Sequence, residues 1–372
     1  MLSRFSDLKI DKAAVIGAGP GGHAVAAVLS RYGVEVGWWS RNHAWVGSMH
    51  KLDRIVDVCG IDSFRVTVAN ITNDIERAID GADIIFVVVP AFAHVDIAGL
   101  IASCCPEKTI IVLNPGRTAG ALEFRSMLAR QGCVMLPRIA ESQSLLFTCR
   151  LKGLGCVDLM AVKKSNVLAA VPSELSSIEE DMLRSVYCGV VFAENTLVTS
   201  MSNIGAILHP APVLLNTGWI ESRSSTFFPH YYYGISKSIA EFLEEMDAER
   251  LAVASAFGVS VRSVIDWHGD VYGVKGDSLY ETLQMNAEYA SLDAPYSLTH
   301  RYITEDVPTG LVPMSELGKV AGVQTPKMDL IISLASSMLG CDFRAKGRNL
   351  ERLGLKGKSA SEVSRVFMGS AK

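Results

Sequence analysis

Charge is scarce in this chain, and no apolar run is long. Only 20% of the 372 residues are charged, 35 Lys+Arg against 39 Asp+Glu, for a net charge of −4 at pH 7. No cluster of lysine and arginine marks a surface for nucleic acid, so no nucleic-acid partner is expected. The longest apolar stretch, residues 84–93, ends at His94 and Asp96, short of the about 20 residues that a bilayer-crossing helix needs. No membrane partner is expected either. The first ten residues carry Arg4, Asp7 and Lys9, and their late apolar run does not suit a secretory signal, so a cytoplasmic protein is expected. The cysteines are Cys59, Cys104, Cys105, Cys133, Cys149, Cys156, Cys188 and Cys341, with no CxxC pair. That spacing argues for reduced thiols, not a disulfide framework or zinc site, although the neighbours Cys104 and Cys105 leave a redox pair open. No HExxH, EF-hand loop or GxxxxGK[ST] occurs, so neither a metal nor P-loop chemistry is expected. With 49% hydrophobic residues, disorder is excluded as well.

What is present starts near the N-terminus. Residues 13–16 are a short β-type run, followed by Gly17-Ala18-Gly19-Pro20-Gly21-Gly22 and then helix-like residues 23–29. This is GxGxxG in the strand-to-helix setting its mechanism requires. Gly17 permits the tight turn, Gly19 lets the backbone approach a pyrophosphate, and Gly22 allows close helix–strand packing. The helix start then presents N–H groups and its positive dipole end to the phosphates, with Ala18 and Gly21 in the same loop. A second strand at 34–39 completes the unit, and a dinucleotide is the expected cofactor.

The end of that second strand discriminates between cofactors. An NAD site usually has a carboxylate there to accept from the ribose 2′-OH. This chain has Ser40-Arg41-Asn42, which lacks a carboxylate and offers a guanidinium to a 2′-phosphate. NADP is favoured and NAD is the alternative. Arg41 as a plain surface charge stays open, and Trp38 and Trp39 read as core packing.

Strand and helix continue to alternate. A strand is expected at 65–68, a helix at 73–80, and buried strands at 83–89 and 109–113, with β-type runs at 133–136 and 186–192. Such runs spaced by helices indicate a parallel sheet whose carboxyl edge carries the glycine loop. Pro90, Phe92, His94, Asn114 and Arg117 follow these runs and are candidates for lining the cofactor crevice. Beyond residue 195 helical spacing dominates, at 239–257, 278–289 and 328–339. The expected fold is α/β, a Rossmann-type doubly wound parallel sheet (1–195), followed by an all-α C-terminal domain (196–372). The active site is expected in the cleft between them, with domain closure on cofactor binding.

Two segments of the second domain carry titratable groups in unusual settings. His209 sits among apolar residues directly before Pro210, which disfavours regular helix at the imidazole. In His300-Arg301-Tyr302-Ile303-Thr304-Glu305-Asp306-Val307-Pro308, the threonine, aspartate and proline are helix-start signals. They would place Asp306 at a helix N-terminus, just downstream of Arg301. Spacing alone does not bring His209 and Asp306 together.

Taken as a set, the motifs of this chain resemble the opine dehydrogenase family, the octopine and nopaline dehydrogenases, nearly end to end. The resemblance runs through the glycine loop, Asn114-Pro115-Gly116-Arg117, Glu141-Ser142-Gln143 with Cys149-Arg150, and His209-Pro210-Ala211-Pro212. It continues through the 300–308 segment, Gly322-Val323-Gln324-Thr325-Pro326 and Gly347-Arg348-Asn349-Leu350. The resemblance implies NAD(P)H-dependent reductive condensation of an amino acid with a 2-oxo acid such as pyruvate or 2-oxoglutarate, and the reverse oxidation. It implies that His209 is the acid/base group, that Asp306 is its partner, and that Arg301 binds the 2-oxo acid carboxylate. A carboxylate partner favours a protonated imidazole, and a fixed guanidinium positions the carbonyl. Glu141, Trp267, Tyr280 and Tyr289 are candidates for the substrate pocket. Small-molecule substrates are therefore the expected partners, and a homodimer is compatible with the chain. Glycerol-3-phosphate, ketopantoate and hydroxyacid dehydrogenases share the two-domain layout and are the second reading. They use a lysine early in the helical domain, and none occurs from 191 to 236. A nucleotide-binding regulator is the third reading, and would not need His209, Arg301 and Asp306 together.

Overall fold

The computed structural model describes residues 2–104, 109–187, 189–222 and 226–369. The chain forms two compact units. The first comprises Met1–Gly116, Gly120–Thr199 and Val366–Lys372, and the second Arg117–Ala119 and Ser200–Arg365. The change of unit thus falls at 199/200, a few residues past the expected 195, and two short segments cross over in sequence.

The first unit holds the strands β1 (Lys12–Ile16), β2 (Glu35–Trp39), β3 (Ile55–Gly60), β4 (Phe64–Thr67), β5 (Asn70–Thr72), β6 (Ile84–Val87), β7 (Ile110–Leu113), β8 (Arg138–Ser142), β9 (Phe147–Gly153), β10 (Cys156–Val162), β11 (Asn166–Val171) and β12 (Val190–Phe192). Eight of them form one sheet in the order β12-β11-β8-β7-β6-β1-β2-β5, and the other four form a sheet ordered β4-β3-β10-β9. The large sheet is parallel except where β11 runs against β8. Its strands are apolar on both faces, as helices on each side require. Along β1, Ala13 and Val15 pack into one core cluster, and Ala14 and Ile16 into the other. Chain order reverses between β1 and β6, which lie side by side. Their carboxyl ends form the crevice where open α/β sheets take ligands.

The expected strand at 65–68 exists, but it pairs antiparallel with β3 in the smaller sheet. The apolar run at 133–136 is not a strand; Val134 is 96% exposed, and the strand begins after it, at Arg138. Within the run at 186–192 the strand is Val190–Phe192, and Ser177–Val186 is a helix with a capping box of Ser176 and Glu179. Cys59, Cys104, Cys149, Cys156 and Cys341 are free thiols. Cys133 corrects the all-thiol expectation, being disulfide-bonded.

Helices are the main regular elements of the second unit's described residues, with Lys237–Ala256, Val312–Ala321 and Pro326–Leu339 as the longer ones. Among the described residues one stretch, Thr196–Leu215, is long and apolar enough to cross a membrane, but 78% of it is buried inside the protein, as a core segment would be.

Candidate active site and cofactor cradle

In the first unit, the glycine loop follows β1. Gly17 has φ 120°, and a Cβ there would lie 2.4 Å from the Val88 carbonyl oxygen; one on Gly22 would lie 1.9 Å from that of Gly17. A Cβ on Gly19 would meet nothing within 4 Å. Two glycines are therefore required by packing, and the third leaves open space above the backbone. Helix Pro20–Arg31 starts there, and its N-cap is Gly19, which has no side chain to occupy the first N–H groups. The Trp38 indole donates to the Gly17 carbonyl at 2.8 Å. The buried His23 lies 3.0 Å through Nδ1 from the Gly19 carbonyl, and burial pushes its imidazole down, toward the neutral form. An open Gly19 at an uncapped helix start fits a dinucleotide pyrophosphate.

Around this loop, Ser40 is buried and accepts from the Asn42 N–H at 3.2 Å, while Arg41 beside it is exposed. Pro90 follows β6 and precedes the helix His94–Ala102. Asn114 is 2% exposed and accepts from Ser142 Oγ at 3.0 Å and the Tyr187 hydroxyl at 2.7 Å. Its amide nitrogen has no partner among the described residues, which leaves a buried donor at the carboxyl edge of the sheet. Phe92 is half exposed. His94 is wholly buried with its ring edge-on to Phe124, a core position, not a crevice lining. Glu141 departs from its expected pocket role. It is wholly buried, one oxygen accepting from the Ala121 N–H at 2.8 Å and the other from the Thr199 hydroxyl at 2.5 Å, so its carboxylate ties helix Gly120–Arg130 to β8.

In the second unit, the break expected at Pro210 is present. Helix Gly205–Leu208 ends at His209, and helix Pro210–Leu215 begins after it. His209 Nδ1 lies 2.8 Å from Asp306 Oδ2, with the side chains 14% and 1% exposed. With Nδ1–H donated to the carboxylate, Nε2 is the nitrogen left for a reacting group. The Tyr302 ring stacks on the imidazole at 3.9 Å and 11°, fixing its plane.

Asp306 does not open a fresh helix. Helix Arg301–Thr304 runs into a five-residue π turn, Val307–Leu311, and then into Val312–Ala321. Asp306 makes no cap bond there, which leaves its carboxylate for side chains. Such wide turns recur at functional sites. Burial pushes the Asp306 carboxyl up, but the charges of Arg117 and His209 outweigh it and hold the group below the usual carboxylate range. Arg301 is half exposed, with Nη1 3.5 Å from Glu305 Oε2. Two neighbouring histidines, His230 and His300, are held toward the neutral form. Burial and the neighbouring His209 push His230 down to about 3, and burial and Arg301 lower His300.

Tyr289 is buried, stacks on Tyr231 at 4.1 Å, and its hydroxyl lies 3.1 Å from His268 Nε2. Trp267 packs edge-on against His268 and Tyr272, and Lys237 lies over the Tyr280 ring. These three make packing contacts with those neighbours. Arg117, expected at the cofactor crevice, instead lies in the second unit against Glu305 and Asp306. Its sequence neighbours gave no sign of that placement.

Known proteins match this chain along most of its length. Residues 192–339 match the family described as NAD/NADP octopine/nopaline dehydrogenase, alpha-helical domain. Residues 12–124 match that described as NAD-dependent glycerol-3-phosphate dehydrogenase N-terminus. The opine dehydrogenase of Arthrobacter sp. (strain 1C) is 40% identical over 356 residues, 94% of this chain and 97% of its own length. An octopine dehydrogenase solved with NADH and L-arginine shares the fold, with a TM-score of 0.82 at 22% identity over 97% of this chain and 98% of that one. So does a yersinopine dehydrogenase solved with NADP+, at 0.74 and 14% identity over 97% and 99%. On the strength of the 40% relative and the helical-domain match, this chain belongs to the opine dehydrogenase family.

Proposed function

We propose that this protein condenses an amino acid with a 2-oxo acid and reduces the resulting imine to a secondary-amine dicarboxylate, NADPH being the preferred reductant. The observation that carries the reading is the His209–Asp306 pair at 2.8 Å, with Arg301 one helical turn before Asp306. When bound at the glycine loop, the reduced dinucleotide supplies the hydride. Arg301, anchored at one end by Glu305 and half exposed, offers its guanidinium to the 2-oxo acid carboxylate and so fixes the carbonyl carbon. His209 gives the Nε2 proton to the carbonyl oxygen as the amine adds and water departs. Asp306 keeps Nδ1–H engaged, so the imidazole is oriented with Nε2 toward the reacting group. The test is oxidation of NADPH by the protein with a 2-oxo acid and a pool of amino acids, followed by mass spectrometry. Oxidation that needs both substrates and yields the adduct mass is expected. Oxidation with the 2-oxo acid alone would move the protein to the hydroxyacid reading. In the same assay Arg301→Ala is expected to raise KM for the 2-oxo acid about tenfold or more, and an unchanged KM would remove Arg301 from this role.

The preference for NADPH rests on Arg41, exposed beside the buried Ser40 where a carboxylate would serve NAD. Arg41→Ala is expected to raise KM for NADPH about tenfold and that for NADH less than about twofold. Equal changes for the two cofactors would overturn the preference.

A further inference from the structure

Arg117–Ala119 belong to the second compact unit although the residues on either side of them belong to the first. The segment is strained and firmly held. Arg117 and Ala119 have φ of 62° and 58°, in the left-handed region that residues with side chains avoid. The Thr118 N–H donates to the Thr309 carbonyl at 3.2 Å, and the Thr118 carbonyl accepts from Arg348 Nη1 at 2.8 Å. The Ala119 N–H donates to Ser200 Oγ at 2.9 Å, and Asn203 Nδ2 donates to Thr118 Oγ1 at 3.2 Å.

What this arrangement delivers is the Arg117 side chain, 12% exposed, with Nη1 3.5 Å from Asp306 Oδ1 and Nε 3.6 Å from Glu305 Oε1. Nη1 also donates to Asn203 Oδ1 at 3.4 Å. The two Asp306 oxygens are thus divided between partners, Oδ2 to His209 and Oδ1 to Arg117. We infer that Arg117 is a positioning residue that keeps Asp306 ionised and turned toward His209, and so holds the imidazole with Nε2 presented for reaction. The inference deepens the proposed function and rests on it for its kinetic readout only.

The charges facing Asp306 decide the sign of the pH effect. Among the described residues, Arg117 and Arg301 are the cations, Glu305 is the second carboxylate, and His209 is the hydrogen-bonded partner. Tyr302 is kept neutral by burial, and His300 and His230 are pushed toward neutrality. Without Arg117, the two buried carboxylates would face the half-exposed Arg301 among the described residues, and burial would then push Asp306 up. Asp306 would take its proton at a higher pH, and the acid limb of the rate profile would move upward with it.

The test compares the wild-type chain with Arg117→Gln and Arg117→Lys. Carboxyl 13C NMR follows the Asp306 titration in the protein alone, and the pH dependence of kcat is measured in parallel. Arg117→Gln is expected to raise the Asp306 titration and to lose about tenfold or more of kcat at the acid end, with a smaller loss at the alkaline end. Arg117→Lys, a point charge in place of a fork, is expected to fall between Gln and wild type. If the glutamine variant does not fold, the lysine variant must still titrate above wild type. Superimposed Asp306 titrations would overturn the inference. So would a change confined to KM with an unmoved acid limb, which is what a substrate-anchoring arginine would give. The titration is read without turnover, so a negative condensation assay would remove the proposed function and leave this test to decide the inference.

Discussion

His209→Ala is expected to lower turnover about 100-fold or more while dinucleotide affinity stays nearly unchanged. The asymmetry follows from where the residues lie. The glycine loop belongs to the first unit and His209 to the second, so removing the imidazole leaves the cradle intact. What is lost is the proposed proton donor, together with the acceptor role of Asp306 Oδ2 and the stacking surface of Tyr302. His230 and His300 offer no substitute, because both are pushed toward the neutral form. Fluorescence titration with NADPH alongside steady-state kinetics decides the matter. Parallel losses in affinity and turnover, with a large fall in melting temperature, would mean that His209 is structural.

Two glycine substitutions, at Gly19 and Gly22, are expected to fail in opposite ways. Gly22→Ala puts a methyl group 1.9 Å from the Gly17 carbonyl oxygen, and the neighbour is backbone that cannot swing aside. A cost of about 3 kcal/mol is expected from such overpacking, seen as a melting temperature lower by roughly 6–12 °C. Gly19→Ala meets nothing within 4 Å and should fold with unchanged stability. Its methyl group occupies the space above the loop, so NADPH affinity is expected to fall about tenfold or more. Thermal melts and NADPH binding on both variants check the pair. A stable Gly19→Ala protein with wild-type NADPH affinity would mean that the open space is not the pyrophosphate site.

Much of this was legible along the chain because the signals are local. The glycine loop needs only a strand before it and a helix after it, and both are in register with the motif. The apolar runs that became β6 and β7 are buried on both faces, so their composition alone marks them. Where composition and burial part company the reading failed. Val134 and Met135 are apolar yet exposed, and the strand lies beyond them. Of the mixed sheet of β3, β4, β9 and β10 only β4 was read, because the other strands alternate apolar and polar residues weakly. Glu141 shows the same limit for a site. A carboxylate at the carboxyl end of a strand looks available, and only the fold spends both its oxygens on Ala121 and Thr199.

By itself, then, the sequence determined the dinucleotide loop, the two-part α/β and helical organisation and the family, because each is written in contiguous motifs. Only the tertiary structure decided which distant groups meet. His209 and Asp306 are separated by 97 residues, and Arg117 reaches the same carboxylate from a three-residue segment that belongs to the second unit although its sequence neighbours belong to the first. The physical reason is that a charge or an imidazole acquires its role from partners within a few ångströms and from exclusion of water. No periodicity or spacing along the chain encodes those distances.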